Sequence, residues 1–360
     1  MQNTIGQLDK SRNNNFDLIR FVAASLVVFS HSFLIYKASK EEVFRKAVGF
    51  MSLGSLSVYV FFLISGYLIT KSLIRQDSLG RFIWARALRI FPALGIAVIF
   101  CVFVIGPLCT NLPLTDYFSQ SSTYDFLWRN VTLLNPLPFL PGVFEQNPYP
   151  RFVNSPLWTL RAELLMYLVV FFGGVLLLVF KKDYTRLRKS AFLIIGVIAY
   201  LIGMQLNEYY LFYYAPPWIL FFVVGAVCYF LRDKIKISIK YALLMWVIIA
   251  ACIFFKIPGY KYTLLMGIPY TVFVLAYHPR LLIKNFSKYG DFSYGIYIYA
   301  FPIQQALVIK VPGLNIYTNF AISYILVFIL AVLSWHFIEK RALQLKNMNW
   351  NMRSSVLAKN

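Results

Sequence analysis

The chain alternates long apolar runs with short polar connections, and the apolar runs have the length of a bilayer crossing. Ten such segments are legible, at 16–36, 51–73, 90–109, 157–180, 191–206, 211–231, 241–257, 262–277, 292–311 and 318–338. About 20 apolar residues at 1.5 Å each cross a hydrocarbon core of about 30 Å, so each segment is predicted as a spanning helix. The closely spaced pairs 191–206/211–231 and 241–257/262–277 predict tight helical hairpins. The sequence carries no internal repeat, low-complexity region or appended soluble domain. The expected fold class is all-α: a polytopic integral membrane protein of about ten transmembrane helices. The organisation expected is an N-terminal tail (1–15), one membrane domain (16–338) and a C-terminal tail (339–360). The first apolar run lacks a small-residue cleavage site, so it is expected to act as an uncleaved signal-anchor.

Composition supports lipid as the main solvent. Of 360 residues 59% are hydrophobic and only 14% charged, against about 25% charged in an average soluble domain. The net charge of +21 would fit a nucleic-acid partner if it were clustered, but it is spread between the apolar runs. The expected partner is therefore membrane lipid and not nucleic acid. With the N-terminus inside, and with Lys71, Lys256 and Lys310 at span ends counted with the adjoining connections, 24 of the 35 Lys and Arg fall on inner segments and 9 on outer ones, while Arg20 and Arg161 lie within spans. Basic residues concentrate on the cytoplasmic side, so both termini are expected there. Two connections exceed turns. The stretch Arg81–Pro92 is basic and amphipathic, suited to the inner interface. The outer stretch Thr110–Pro156 is rich in Pro, Asn and aromatics, a composition shared by glycan-binding surfaces and membrane-interface belts. Cys101, Cys109, Cys228 and Cys252 lie in apolar runs without paired metal spacing, so no metal is expected and they read as small buried hydrophobes.

Ionisable residues within spans are costly and mark candidate chemistry. The first span holds Asp17, Arg20 and His31. Eleven helical positions make about three full turns, so Arg20 and His31 share a face about 16 Å apart along the axis. Asp17 is spaced to pair with Arg20, and the two read equally as an interfacial anchor. In the fourth span Glu163 follows Trp158 and Arg161. Glu163 and His31 lie at similar depth, about 9 Å and 7 Å below the outer boundary. A shared pocket would let the carboxylate orient the imidazole for general-base work. A polar staple of Arg161, Glu163 and His31 between helices explains the same depth. Ser65-Gly66 in the second span reads as a close helix contact, not as a nucleophile. Tyr294, Tyr297 and Tyr299 fit an interfacial belt. His278 and His336 fall at inner ends, where water reaches them.

These segments, in this order, resemble acyltransferase family 3, the integral-membrane O-acyltransferases of cell envelopes. The first span, with Asp17, Arg20 and His31, is similar to that family's Asp-x-x-Arg-x(10)-His signature. Phe61-Phe-Leu-Ile-Ser65-Gly66-Tyr67 resembles its Ser-Gly motif, Arg86-Ala-Leu-Arg89 its Arg-x-x-Arg motif, and Leu157-Trp158-Thr159 through Glu163 its Trp/Glu motif. Ser293-Tyr294-Gly-Ile-Tyr297 and Ile338-Glu339-Lys340 fit its last two spans. The resemblance implies a ten-helix core in the bacterial inner membrane, with His31 as the catalytic histidine and Arg20, Arg86 and Arg89 as the important arginines. It implies an acyl-coenzyme A donor from the cytoplasm, most often acetyl, and a hydroxyl acceptor on an envelope or exported glycan such as O-antigen, capsule or exopolysaccharide, or on a lipid-linked sugar. Many members carry a histidine where this chain has Ala300. On this reading Glu163 and Arg20 assist His31, and Arg81, Arg86 and Arg89 offer planar forks to the donor phosphates. Trp158 and Tyr297 contact substrate, while Asp17, Ser65 and Gly66 support the site. Direct transfer and an acyl-histidine intermediate both remain open. Two other classes share the composition: a lipid-linked-sugar flippase with His31 and Glu163 as a proton relay, and a membrane glycan polymerase.

Overall fold

The computed structural model describes residues 3–10, 13–75, 78–179 and 215–347. Its main helices are α1 (Phe16–Ile35), α2 (Leu53–Arg75), α3 (Leu79–Cys109), α4 (Ser121–Thr132), α5 (Leu157–Val179), α6 (Ala215–Phe230), α7 (Ile239–Phe254), α8 (Tyr260–Tyr277), α9 (Ser293–Lys310) and α10 (Ile316–Gln344). Among the described residues the segments between these helices hold short helical turns and, in place of strands, isolated β-bridges. Among the described residues four helices, α1, α2, α3 and α10, are long and apolar enough to cross a membrane. Every predicted span within the described residues is occupied by a helix, whereas 191–206 lies outside them. Leu243, Leu244, Val247 and Phe254 on α7 and Ile325, Ile329 and Leu333 on α10 are exposed. An apolar surface of that extent marks a protein whose solvent is lipid.

Helix starts follow from local chemistry. Asn315 caps α10 reciprocally with Thr318, satisfying amide groups that the first turn leaves unpaired. Asn14 accepts the Phe16 N–H, and Asn15 donates to the Leu275 and Leu281 carbonyls at 2.8 Å each. That pair both starts α1 and ties it to the end of α8.

The centre is α2, packed against α6 and α1, while α9 packs against α10 and α1. Glycine makes the first contact possible. A Cβ on Gly66 would lie 1.9 Å from the Phe222 carbonyl oxygen, and one on Gly225 would lie 2.1 Å from that of Leu63. Each helix thus presents a glycine to the other's backbone, as small residues do where membrane helices approach closely. The close contact read from Ser65-Gly66 is present here.

One expectation needs correction. Arg81–Pro92 is not a separate interfacial element; it forms the first half of α3, which runs on through Pro92 and a π-helical turn at Cys101–Ile105. Proline removes one intrahelical hydrogen bond, a loss that membrane helices tolerate when neighbours cover the freed groups. The uninterrupted helix carries Arg86 and Arg89 inward. The stretch 110–156 folds back over the end of α9: Asn147 donates to Gln305, Gln305 donates to the Tyr149 and Phe152 carbonyls, and Asn154 donates to the Ile298 carbonyl.

Candidate active site

Three cavities adjoin in series within the helix bundle, each sharing wall residues with the next. The first, of about 370 Å³, is a vestibule walled by Asp17, Arg20, Arg86, Arg89, Asp291 and Lys346 among others. Its guanidiniums gather round one carboxylate. Asp291 Oδ2 accepts from Arg89 at 2.5 Å and Arg20 at 3.1 Å, while Oδ1 accepts from the Ser293 hydroxyl at 2.5 Å and its N–H at 3.2 Å. Burial pushes the Asp291 carboxyl up, but the Arg89 and Arg20 charges and the Ser293 hydrogen bond outweigh it and hold the group down at about 2. Arg20 also meets Asp17 at 3.4 Å, the pairing that their spacing predicts, and Arg89 lies 3.9 Å from Glu339. Among the described residues the buried Nε of Arg86 has no hydrogen-bond partner, and the same is true of Arg20 Nε. Burial lowers the Lys346 ammonium, and the nearby Arg86 charge lowers it further. Crowded cations with an orphaned buried donor suit a polyanionic ligand.

Arg20, Leu68, Arg86 and Arg89 also wall the middle chamber, of about 130 Å³. Glu163 of α5 faces it, accepting from the Ser65 hydroxyl at 3.0 Å and from the Tyr167 hydroxyl one turn along. The Gly66–Phe222 contact seats α2 in the bundle, and Ser65 is its neighbour in sequence. Val58, Thr159 and Tyr297 separate this chamber from the third, of about 350 Å³. There the ring of His31 lines the wall with Trp158, Tyr149 and Glu42. His31 stands edge-on to Phe301, with ring centroids 5.2 Å apart, and its buried Nδ1 has no hydrogen-bond partner among the described residues. Glu42 accepts from the Leu53 N–H at 2.6 Å and the Ser30 hydroxyl at 3.4 Å. Burial raises its carboxyl despite those bonds and the charge of Arg45. Among the described residues no group of three or more His, Cys, Asp or Glu is placed to hold a metal ion.

The expected residues thus divide along one route. Arg20, Arg86 and Arg89 share the vestibule and the middle chamber; Glu163, Ser65 and Tyr297 line the middle chamber; His31, Trp158 and again Tyr297 line the third. Arg81 is exposed at the start of α3 and lines none of the three. His31 and Glu163 occupy neighbouring chambers instead of one pocket. The reason is the Thr159–Tyr297 pair, whose hydroxyls sit 2.6 Å apart between them. Among the described residues the three cavities give His31 and Glu163 no wall in common. Tyr297 and Tyr299 are interior, 8% and 4% exposed, and not part of a belt. Asp291 and Glu42 were not singled out from the sequence. Asp291 lies two residues before a span that opens with Ser293, a helix-start position, which is the one local signal it offers.

A family profile described as an acyltransferase domain matches residues 13–338. An O-acetyl transferase of Shigella phage Sf6 is 30% identical over 342 residues, covering 92% of this chain and 96% of the relative. Nodulation protein 10 of Rhizobium leguminosarum bv. viciae is 26% identical over 368 residues, covering 95% and 96%. No solved structure matches. Six motifs in order, a helical bundle with lipid-suited helices, and a match over nearly the whole length converge on one conclusion: the chain belongs to acyltransferase family 3 and is an O-acyltransferase.

Proposed function

We propose that the protein transfers an acyl group, acetyl in the simplest case, from cytoplasmic acyl-coenzyme A to a hydroxyl of an envelope or exported glycan. It does so as a ten-span protein of the bacterial inner membrane with both termini inside. The observation that carries this reading is the series of three cavities joining an arginine cluster to a histidine. Coenzyme A is a phosphate-rich head on a thin arm ending in a thioester. Arg86, with its orphaned Nε, and Lys346 would hold the phosphates, with Arg20 and Arg89 behind them. The arm would lie in the middle chamber, bringing the thioester towards His31. The sugar hydroxyl would approach through the third chamber, past Trp158 and Tyr149. His31 takes the hydroxyl proton as the oxygen attacks the thioester carbon. The new C–O bond forms, the C–S bond breaks, and the imidazolium returns its proton to the departing thiolate. The name O-acetyl transferase carried by one relative agrees with this chemistry.

The test is His31→Gln, assayed by labelled acetyl transfer from acetyl-coenzyme A to envelope glycan, normalised to folded protein. Glutamine keeps hydrogen-bonding capacity and approximate size but cannot act as base or acyl acceptor. Transfer is expected to fall roughly 10²–10⁴-fold while thermal stability holds. Transfer near the wild-type level would remove His31 from the mechanism.

A further inference from the structure

Between the arginines and His31 the route passes a collar. The middle and third chambers share Val58 of α2, Thr159 of α5 and Tyr297 of α9 as walls, so three helices contribute one residue each. Two of them are tied to a single backbone oxygen. The Thr159 hydroxyl donates to the Pro156 carbonyl at 2.9 Å, the Tyr297 hydroxyl reaches the same oxygen at 3.3 Å, and the hydroxyls are 2.6 Å from each other. Thr159 and Tyr297 are 7% and 8% exposed, and Phe61 meets the Tyr297 ring edge-on with centroids 5.9 Å apart. A side chain held by its hydroxyl and backed by another ring has little room to yield. The chamber on the arginine side holds about 130 Å³, against about 350 Å³ beyond the collar.

The collar's position gives it a consequence for the acyl group. A donor anchored by its phosphates at the arginines has a fixed reach, and its last atoms to arrive are those of the acyl chain. Any acyl group bound for His31 must enter the collar ahead of, or together with, the thioester carbon. We propose that Val58, Thr159 and Tyr297 determine acyl specificity, admitting a two-carbon group and rejecting longer chains by size. This rests on the acyl-coenzyme A reading above. It adds to that reading which residues set the chain length, and why none of them is the catalytic histidine or a phosphate-binding arginine.

The experiment offers acetyl-, propionyl- and butyryl-coenzyme A separately to membranes containing the wild type, Val58→Ala or Thr159→Ser, and measures acylated glycan per folded protein. Val58→Ala widens the collar without touching a polar group. Thr159→Ser removes one methyl and keeps the hydroxyl bonded to Pro156. One methylene in a closed apolar site typically discriminates about 10–200-fold. The butyryl-to-acetyl ratio is therefore expected to rise about ten-fold or more in Val58→Ala, and less in Thr159→Ser. Wild-type ratios in both variants would overturn the proposal, as would a wild type that uses butyryl as readily as acetyl. Loss of all transfer in folded Thr159→Ser would also overturn it, assigning the collar to catalysis instead of selection. If the wild type transfers none of the three groups, the donor reading itself fails, an outcome distinct from any change in ratio.

Discussion

Asp291→Asn is a sharp test of the vestibule, because it changes one charge and almost no volume. The native carboxylate meets two guanidiniums, at 2.5 and 3.1 Å, and two donors of Ser293. Asparagine can still accept from Ser293 through its oxygen, but the second carboxylate oxygen is replaced by an amide that faces two cations. Two unit charges about 4 Å apart interact by about 4 kcal/mol at an effective dielectric of 20. Two such pairs represent about 8 kcal/mol of gross attraction. Part of that is offset, since a neutral amide no longer carries the desolvation cost of a buried carboxylate. Removing one partner of a buried pair costs about 3–5 kcal/mol in practice. Arg20 keeps Asp17 at 3.4 Å and Arg89 keeps Glu339 at 3.9 Å, which places the expectation at about 3 kcal/mol.

The assay is thermal unfolding of wild type and variant in the same detergent at one scan rate, since such unfolding is commonly irreversible. The variant is expected to unfold earlier. The sign with pH follows from the native carboxyl, held at about 2, below the ordinary value of about 3.9. Its stabilisation is present above about 3.9 and is lost as pH falls through about 2, so the gap between the proteins should narrow as pH falls from about 4 towards 2. Added coenzyme A should raise the unfolding temperature of the variant more than that of the wild type, because the vestibule has gained one net positive charge. Equal unfolding temperatures with equal coenzyme A responses would refute both the ion-pair lock and the anionic ligand.

Two further outcomes follow from the same geometry. Arg86→Lys keeps the charge but loses the planar fork, so coenzyme A binding by calorimetry should weaken about ten-fold with the fold intact; unaltered binding by Arg86→Ala would take Arg86 out of donor recognition. Gly66→Ala sets a Cβ 1.9 Å from the Phe222 carbonyl oxygen, and overpacking of that kind costs about 1–3 kcal/mol or more; a variant as heat-stable as the wild type would disprove the close α2–α6 contact.

What could be read along the chain was whatever is local or uniform. Apolar runs announce helices because a helix satisfies its own backbone in lipid, whatever it packs against. The Asp17–Arg20 pair follows from a spacing of three, and the glycine contact from a small residue inside a span. The chamber walls were harder to see, because they depend on which helices become neighbours. Asp291 joins Arg20 across 271 positions and Arg89 across 202, and nothing near Asp291 in sequence names those partners. The tyrosines of α9 show the same limit. Their pattern matches an interfacial belt and a cavity wall equally well, and it is the packing of α9 in the bundle that sets Tyr297 against Thr159 of α5 and Phe61 of α2. Depth alone suggests one pocket for His31 and Glu163; they line adjoining cavities that share Thr159, four residues before Glu163 on the same helix, as a wall.

In the proposed reaction, distance between the arginines and His31 would have a physical use of its own. A base must gain a positive charge as it takes a proton, and nearby cations oppose that gain. At an effective dielectric of 20, a guanidinium about 4 Å from the imidazole would oppose protonation by about 4 kcal/mol. Eleven residues along α1 put Arg20 about 16 Å below His31, where the same charge opposes it by only about 1 kcal/mol. The donor phosphates need clustered cations, and the reacting hydroxyl needs a base free of them. A single compact pocket could not supply both. A long, unbranched donor arm spanning the middle chamber can, so that the phosphates sit among cations while the thioester sits beside the histidine. On this reading the order of the three chambers follows from the shape of the donor, and the collar lies where the only part of the donor that varies, its acyl chain, has to pass.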